Sequence, residues 1–257
     1  MPEAEAAADL ALLRGAAEEA GRIALRYYGR NPEVWMKGGT SPVSEADFAV
    51  DAFLRDALLS ARPEYGWVSE ETEERSHRAD GRTFVVDPID GTRGFIERSP
   101  QWCVSLAVVE NGRPLAAVLE APATEESFWA GPGAGAFRNG ARLAVAQPGE
   151  RLRIGGPQAL IRMLAEPLRS RIERMPHVPS LAYRVAMVAD GRLDGTLVKA
   201  NAYDWDIAAA DLILAEAGGA LIDAAGAVPI YGGPELRHGA LAAGSGPLLG
   251  SIAAAIS

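Results

Sequence analysis

Val85-Val86-Asp87-Pro88-Ile89-Asp90-Gly91-Thr92 is the stretch on which the reading of this chain turns. The apolar run Phe84-Val85-Val86 reads as a strand, and it feeds a turn that carries two carboxylates three residues apart. Pro88 fixes φ in that turn, and Gly91 lets the backbone come close to a bound group. Read as chemistry, Asp87 and Asp90 offer oxygen ligands to a hard cation, with the Ile89 carbonyl as a further donor. The Gly91-Thr92 backbone then offers N–H groups to a phosphate. Read blandly, the octet is only a turn, because Asp, Pro and Gly dominate turns. Taken alone it leaves both readings open.

Composition narrows the field. The 257 residues are enough for one large domain or two coupled subdomains. Lys plus Arg number 25 against 34 Asp plus Glu, a net −9, which is the wrong sign for a general nucleic-acid binder. A local positive site for a small anion is still compatible with that balance. One cysteine, Cys103, gives no disulfide framework and no thiolate metal cluster. His77, His177 and His238 are far apart and have no ligand spacing. No apolar run reaches the ~20 residues of a membrane span. The acidic, Ala-rich N-terminus lacks the basic start of a signal peptide, so the expectation is a cytoplasmic protein without a membrane partner.

Hydrophobic spacing predicts helices over residues 3–28 and 44–60, the second with Phe48, Val50, Phe53, Leu54 and Leu58 on its apolar face. A loop is expected at 37–42. Strands are expected at 65–69, 83–86, 104–109, 114–119 and 127–130, with a hairpin turn at Asn111-Gly112. The first half thus reads as two helices on an antiparallel sheet. Beyond Gln147 the pattern alternates: helices at 158–164, 182–189 and 206–217, strands at 195–198 and 220–222, the last taken as the final core strand. Subdomains 1–147 and 148–257 follow. Residues 151–174 hold six Arg against two Glu, a locally basic segment that reads as a solvated helix face.

Further acids could join the octet. Glu70-Glu71 end a strand, Asp206 opens a helix, and Asp47 lies three residues after Ser44, close to a capping box. Each has an ordinary reading alone: a solvated strand end, an acid favoured by the helix dipole, a cap. Gly131-Pro132-Gly133-Ala134-Gly135 does not fit a nucleotide-binding glycine loop and reads as a β-turn. Cys103 reads as core, and Trp205 as packing.

In combination the chain resembles the lithium-sensitive, Mg²⁺-dependent phosphatases of the inositol monophosphatase superfamily. The matching elements are Lys37 with Ser41-Pro42-Val43-Ser44-Glu45-Ala46-Asp47, Glu70-Glu71, the octet, and Trp205-Asp206-Ile207-Ala208-Ala209 with Glu216-Ala217-Gly218-Gly219. Ser44 stands where the family commonly has Thr, which keeps the hydroxyl. The resemblance implies an α/β protein, α+β in its first half, folded as a layered αβαβα sandwich. It implies two or three Mg²⁺ per site: one on Glu70, Asp87 and the Ile89 carbonyl, another on Asp87, Asp90 and Asp206. Gly91 and Thr92 would hold the phosphate, and Asp47, Glu70 and Thr92 would serve the attacking water. It also implies a small phosphorylated substrate, inhibition by Li⁺ and a homodimer. A haloacid-type phosphatase would need D-x-D-x-T, and here the acids are three apart.

The substrate is less legible. Inositol phosphatases tend to carry a Glu before Trp-Asp, and this chain has Lys199-Ala200-Asn201 near that place. A cation there suits a second anionic group. With Ser180-Leu181-Ala182-Tyr183-Arg184, this segment looks most like 3′(2′),5′-bisphosphate nucleotidases, which act on 3′-phosphoadenosine 5′-phosphate. Inositol 1-phosphate is the alternative, followed by histidinol phosphate and sugar phosphates. The non-enzyme alternative is a scaffold on the same fold.

Overall fold

The computed structural model describes residues 2–37, 41–72 and 81–256. Helix α1 (Pro2–Leu25) leads to an antiparallel hairpin, β1 (Val34–Lys37) and β2 (Ser41–Ser44), and then to α2 (Glu45–Ala61). Strands β3 (Gly66–Ser69), β4 (Thr83–Asp90), β5 (Cys103–Glu110), β6 (Arg113–Ala121), β7 (Glu126–Gly131), β8 (Gly135–Arg138) and β9 (Ala141–Arg142) form one sheet in sequence order, with the short helix α3 (Thr92–Ile96) after β4. The chain continues through β10 (Leu152–Gly155), α4 (Gln158–Met163), α5 (Glu166–Arg169), β11 (Ile172–Arg174) and α6 (Leu181–Ala189). Then come β12 (Gly195–Val198), β13 (Ala202–Tyr203), α7 (Asp204–Glu216), β14 (Ala220–Ile222), β15 (Arg237–His238), β16 (Leu241–Gly244) and α8 (Gly246–Ala253). A second sheet runs in the order β11-β10-β12-β16-β14, and β13 pairs with β15 in a separate ribbon.

Side-chain alternation builds the layers. In β4, Phe84 and Val86 enter a core with Leu13, Ala17, Val50 and Leu54 of α1 and α2. Val85 faces the other way, into a core with Tyr183 and Val185 of α6 and Ile213 of α7. That core extends to Val198, Leu221 and Ala243 of the second sheet. The opposite face of that sheet, Leu152, Ile154, Leu197 and Ala242, packs on Ile161 of α4 and on Leu248 and Ile252 of α8. The outcome is the expected αβαβα sandwich. Helix α7 lies in its middle layer, and this is why it is apolar nearly all round.

Several expectations change. The pair β3–β4 is parallel, so the first sheet is not purely antiparallel. The expected loop at 37–42 contributes Lys37 to β1 and Ser41-Pro42 to β2. Phe48 is 46% exposed and meets Trp35 edge-on at 5.9 Å, so it belongs to no core. Ala220–Ile222 is not the last core strand, because β16 follows it and inserts beside β12 in the sheet interior. The basic segment contains β10 and β11 as well as short helices. Two of its arginines form ion pairs, Arg153 with Asp194 and Arg169 with Glu166. His77 lies outside the described residues.

Candidate active site

Residues three apart on a regular strand point to opposite faces. Asp87 and Asp90 escape this because the ladder slips between them. Asp87 pairs with Ser105 and Asp90 with Cys103, so three steps on β4 match two on β5. Pro88, which has no N–H to donate, sits inside the bulge. The Ile89 N–H turns back to Asp87 Oδ1 at 3.0 Å. The extra residue returns Asp90 to the face of Asp87, and both carboxylates are buried there.

Two helix N-termini meet this face. In the first turn of α7, Asp206 accepts the Tyr203 N–H at 2.7 Å. The Ser105 hydroxyl donates to the Trp205 carbonyl at 3.2 Å and pins the start of α7 to β5. Carboxylate oxygens of Asp87, Asp90 and Asp206 then all lie within 4.8 Å of one another. At the other terminus, Ser180 caps α6 by accepting the Tyr183 N–H at 3.0 Å, while its hydroxyl donates to Asp90 Oδ2. The Ala182 N–H adds a bond to the same oxygen at 2.6 Å.

Helices α2 and α3 complete the surround. Asp47 is the third residue of α2, and its Oδ2 accepts from the Ser44 N–H and hydroxyl at 2.8 and 2.6 Å. The predicted capping box is therefore present. Asp47 Oδ1 lies 3.0 Å from Thr92 Oγ1, which is also 3.0 Å from the Ile89 carbonyl oxygen. Gly91 opens α3 at φ +93°, and a Cβ there would stand 3.0 Å from the Ser180 nitrogen. That backbone conformation and that approach both require glycine. The first N–H groups of any helix lack intrahelical acceptors, and its dipole favours an anion.

The site is overloaded with negative charge. Burial, then Glu71 and Asp206, push Glu70 up to about 8. Burial, then Asp90, pushes Asp206 up to about 7. Burial and neighbouring acids raise Asp87 well above the ordinary carboxylate range, with Glu70 the strongest of those neighbours. Burial also raises Asp47 and Asp90. Buried acids this close cannot all ionise without cations between them. An all-oxygen donor set on rigid backbone fits a hard divalent ion such as Mg²⁺. The compact trio is Asp87, Asp90 and Asp206, and Glu70 is close enough to act on two of its members.

The sequence underrated three neighbours. The Glu71 side chain is only 2% exposed and takes an ion pair from Lys37 at 3.0 Å; Lys37 also donates to the Glu70 carbonyl. Ser180, which holds Asp90, stood out in the sequence only as part of the run Ser180–Arg184. Asp204 is fully buried, bonded to His238 Nε2 at 2.7 Å and to the Gly232 N–H at 2.6 Å, and so ties α7 to β15. Lys199 lines a pocket of about 350 Å³ that opens beside Asp206. Trp205 is buried and stacks on Tyr203 at 4.4 Å, and Cys103 is buried, as expected. Among the described residues, no helix is long and apolar enough to cross a membrane.

This constellation has relatives. The family model described as "Inositol monophosphatase family" matches residues 6–257. An inositol-1-monophosphatase of Rhizobium meliloti is 32% identical over 242 residues, covering 88% of each chain. The 3′(2′),5′-bisphosphate nucleotidase CysQ of Aggregatibacter actinomycetemcomitans is 32% identical over 221 residues, covering 80% of this chain and 81% of that one. A histidinol-phosphatase of Chlorobaculum parvum is 32% identical over 240 residues, covering 89% and 90%. The crystal structure of extragenic suppressor protein suhB from Bartonella henselae superposes with a TM-score of 0.85 at 30% identity, covering 97% of this chain and 98% of that one. The chain belongs to the inositol monophosphatase family, whose members are metal-dependent phosphoric monoester hydrolases.

Proposed function

We propose that the chain is a Mg²⁺-dependent phosphomonoesterase whose substrate is a nucleoside 3′(2′),5′-bisphosphate, with 3′-phosphoadenosine 5′-phosphate as the representative. The convergence of Asp87, Asp90 and Asp206 beside the Thr92–Asp47 contact carries the phosphatase part of this reading. Glu70, Asp87 and the Ile89 carbonyl would hold one ion, and Asp87, Asp90 and Asp206 a second. Bound ions would neutralise these acids, make a water a better nucleophile and offset charge on the leaving oxygen. The chain's own residues do the rest. Thr92 Oγ1 donates to Asp47 Oδ1, which turns its lone pairs toward a water and orients that water's attack. The start of α3 at Gly91-Thr92 directs N–H groups at the phosphate.

The pocket beside Asp206 supports the substrate. Lys199 stands on its wall and Arg184 lines it too, two cationic side chains at one pocket of an acidic protein. Sequence identity does not choose, because the inositol-1-monophosphatase and nucleotidase relatives are equally distant. Inositol 1-phosphate is the second reading. The test is Mg²⁺-dependent phosphate release from 3′-phosphoadenosine 5′-phosphate, inositol 1-phosphate, fructose 1,6-bisphosphate and histidinol phosphate. The bisphosphate nucleotide should have the highest kcat/KM. A lead of about tenfold for inositol 1-phosphate would reverse the substrate assignment. No release from any ester by the folded protein would favour the scaffold.

A further inference from the structure

We infer that Arg184 is the anchor for a second anionic group, a phosphoryl carried on the same small molecule as the scissile ester. The inference rests on the phosphatase reading above and deepens it. Arg184 lies on α6, is only 8% exposed, and lines the pocket that holds Lys199 and Asp206. Its Nε donates to Thr196 Oγ1 at 2.9 Å, its Nη1 to the Val178 carbonyl at 3.3 Å and its Nη2 to the Leu197 carbonyl at 3.4 Å. All three acceptors are neutral. A guanidinium has five N–H donors, so these three bonds leave two. Among the described residues, none of its recorded partners is a carboxylate. Buried arginines are ordinarily paired with one, because an uncompensated buried charge is costly.

One charge does reach it. Asp90 opposes the effect of burial on the Arg184 guanidinium, from beyond hydrogen-bond distance. Asp90 is also one of the three acids that converge on the candidate metal centre. A divalent cation held by that centre would take up the Asp90 charge and leave Arg184 as uncompensated positive charge at the pocket. The backbone is shaped for this side chain. A Cβ on Gly155 of β10 would stand 3.1 Å from Arg184 Cδ and 3.2 Å from Thr196 Oγ1, so glycine leaves room for the arginine stem. Lys199 on the same lining extends the positive surface outward. Arginine with two spare donors suits the forked geometry of a phosphoryl or sulfuryl oxygen pair.

The experiment compares two esters that differ only in that group. Steady-state kinetics in Mg²⁺ would be measured on 3′-phosphoadenosine 5′-phosphate and on adenosine 3′-monophosphate, for the wild type, Arg184→Met and Arg184→Lys, with melting temperatures recorded. The wild type should have the lower KM for the bisphosphate. Arg184→Met should raise that KM by about tenfold more than it raises the KM for the 3′-monophosphate, as for the loss of charge-assisted hydrogen bonds in a desolvated site. Arg184→Lys should recover part of the loss. Equal changes on both esters, or no change on either, would overturn the role of Arg184 while leaving the phosphatase reading intact. Failure of that reading would appear differently, as no release from either ester by the wild type. If Arg184→Met unfolds, the wild type still decides through inhibition of 3′-monophosphate hydrolysis. Adenosine 5′-monophosphate should inhibit at least about tenfold more strongly than adenosine, and 5′-adenosine sulfate esters test whether sulfuryl is taken as well. Equal inhibition by the nucleotide and the nucleoside would overturn the anchor.

Discussion

Glu70 and Asp206 set the pH response of the metal-free protein. Burial and neighbouring acids hold them at about 8 and about 7, against ordinary values of 4.5 and 3.8. Both shifts are upward. Between about pH 4 and pH 8 the folded chain therefore holds more protons than the unfolded chain, and its stability falls as pH rises through that window. A divalent cation on the same carboxylates opposes the fall. In EDTA the melting temperature should drop between pH 5 and pH 8. In Mg²⁺ the drop should shrink, so the Mg²⁺-dependent gain in melting temperature is larger at pH 8 than at pH 5. A metal-free melting temperature that climbs over this range would contradict the crowding of acids described above. At this scale the sequence was informative: Asp47, Asp87, Asp90, Thr92 and Asp206 were all legible as candidates, because acids with turn and cap spacing are visible in a string. Glu71 was legible only as the neighbour of Glu70, because nothing in a string shows that Lys37 folds over the second of two adjacent acids and covers its side chain.

At the scale of elements, the N-terminus of α6 is the part of the site that a reading of acids alone overlooks. The Ser180 hydroxyl and the Ala182 N–H both hold Asp90 Oδ2, so this candidate ligand is aimed by a helix that supplies none of the candidate acids. Groups that orient metal ligands are worth about 10–100-fold in metal affinity. Ser180→Ala should weaken Mg²⁺ binding by that factor in calorimetric titration, while the denaturation midpoint in EDTA changes little. An unchanged Mg²⁺ affinity would show that the backbone donors suffice. Elements with long, regular patterns were legible: α1, α2, α6, α7 and the β5–β6 hairpin stand within a few residues of expectation. Among the short strands, β12 and β14 were legible and others were not. Strands β10 and β11 have four and three residues within an arginine-rich segment, where charge masks the apolar alternation. The strand β16, Leu-Ala-Ala-Gly, offers almost no β-branched signal, yet it occupies the sheet interior.

For the whole molecule, the five layers separate stability from chemistry. The outer helix α8 packs Ile252 on the second sheet, whereas the acids gather where β4 and the starts of α2, α3, α6 and α7 meet. Ile252→Ala should therefore cost about 2–5 kcal/mol of stability, as a buried large-to-small change does. It should leave kcat per folded molecule within about twofold, since distant sites act independently. A kcat loss matching that of a ligand mutant would mean that the layers are coupled more tightly than their packing indicates. The order of the layers was legible only through family resemblance. Nothing in the local pattern states that α7 is sandwiched between two sheets, although its near-uniform hydrophobicity is the trace of that position.

The bulge between Asp87 and Asp90 has a last consequence, for length. Deleting Pro88 or Ile89 would leave all five candidate acids, Asp47, Glu70, Asp87, Asp90 and Asp206, in the chain. With the slip in register gone, Asp87 and Asp90 would be two apart, would still face Ser105 and Cys103 and would share a face, but the turn in which the Ile89 N–H reaches Asp87 and the Ile89 carbonyl meets Thr92 Oγ1 would be lost. Adding a residue would instead turn one of the two acids toward Phe84 and Val86, among the side chains of α1 and α2. The spacing of this turn is thus itself inherited machinery: the site should tolerate exchanges of side chain around it more readily than any change in the number of residues between its two aspartates.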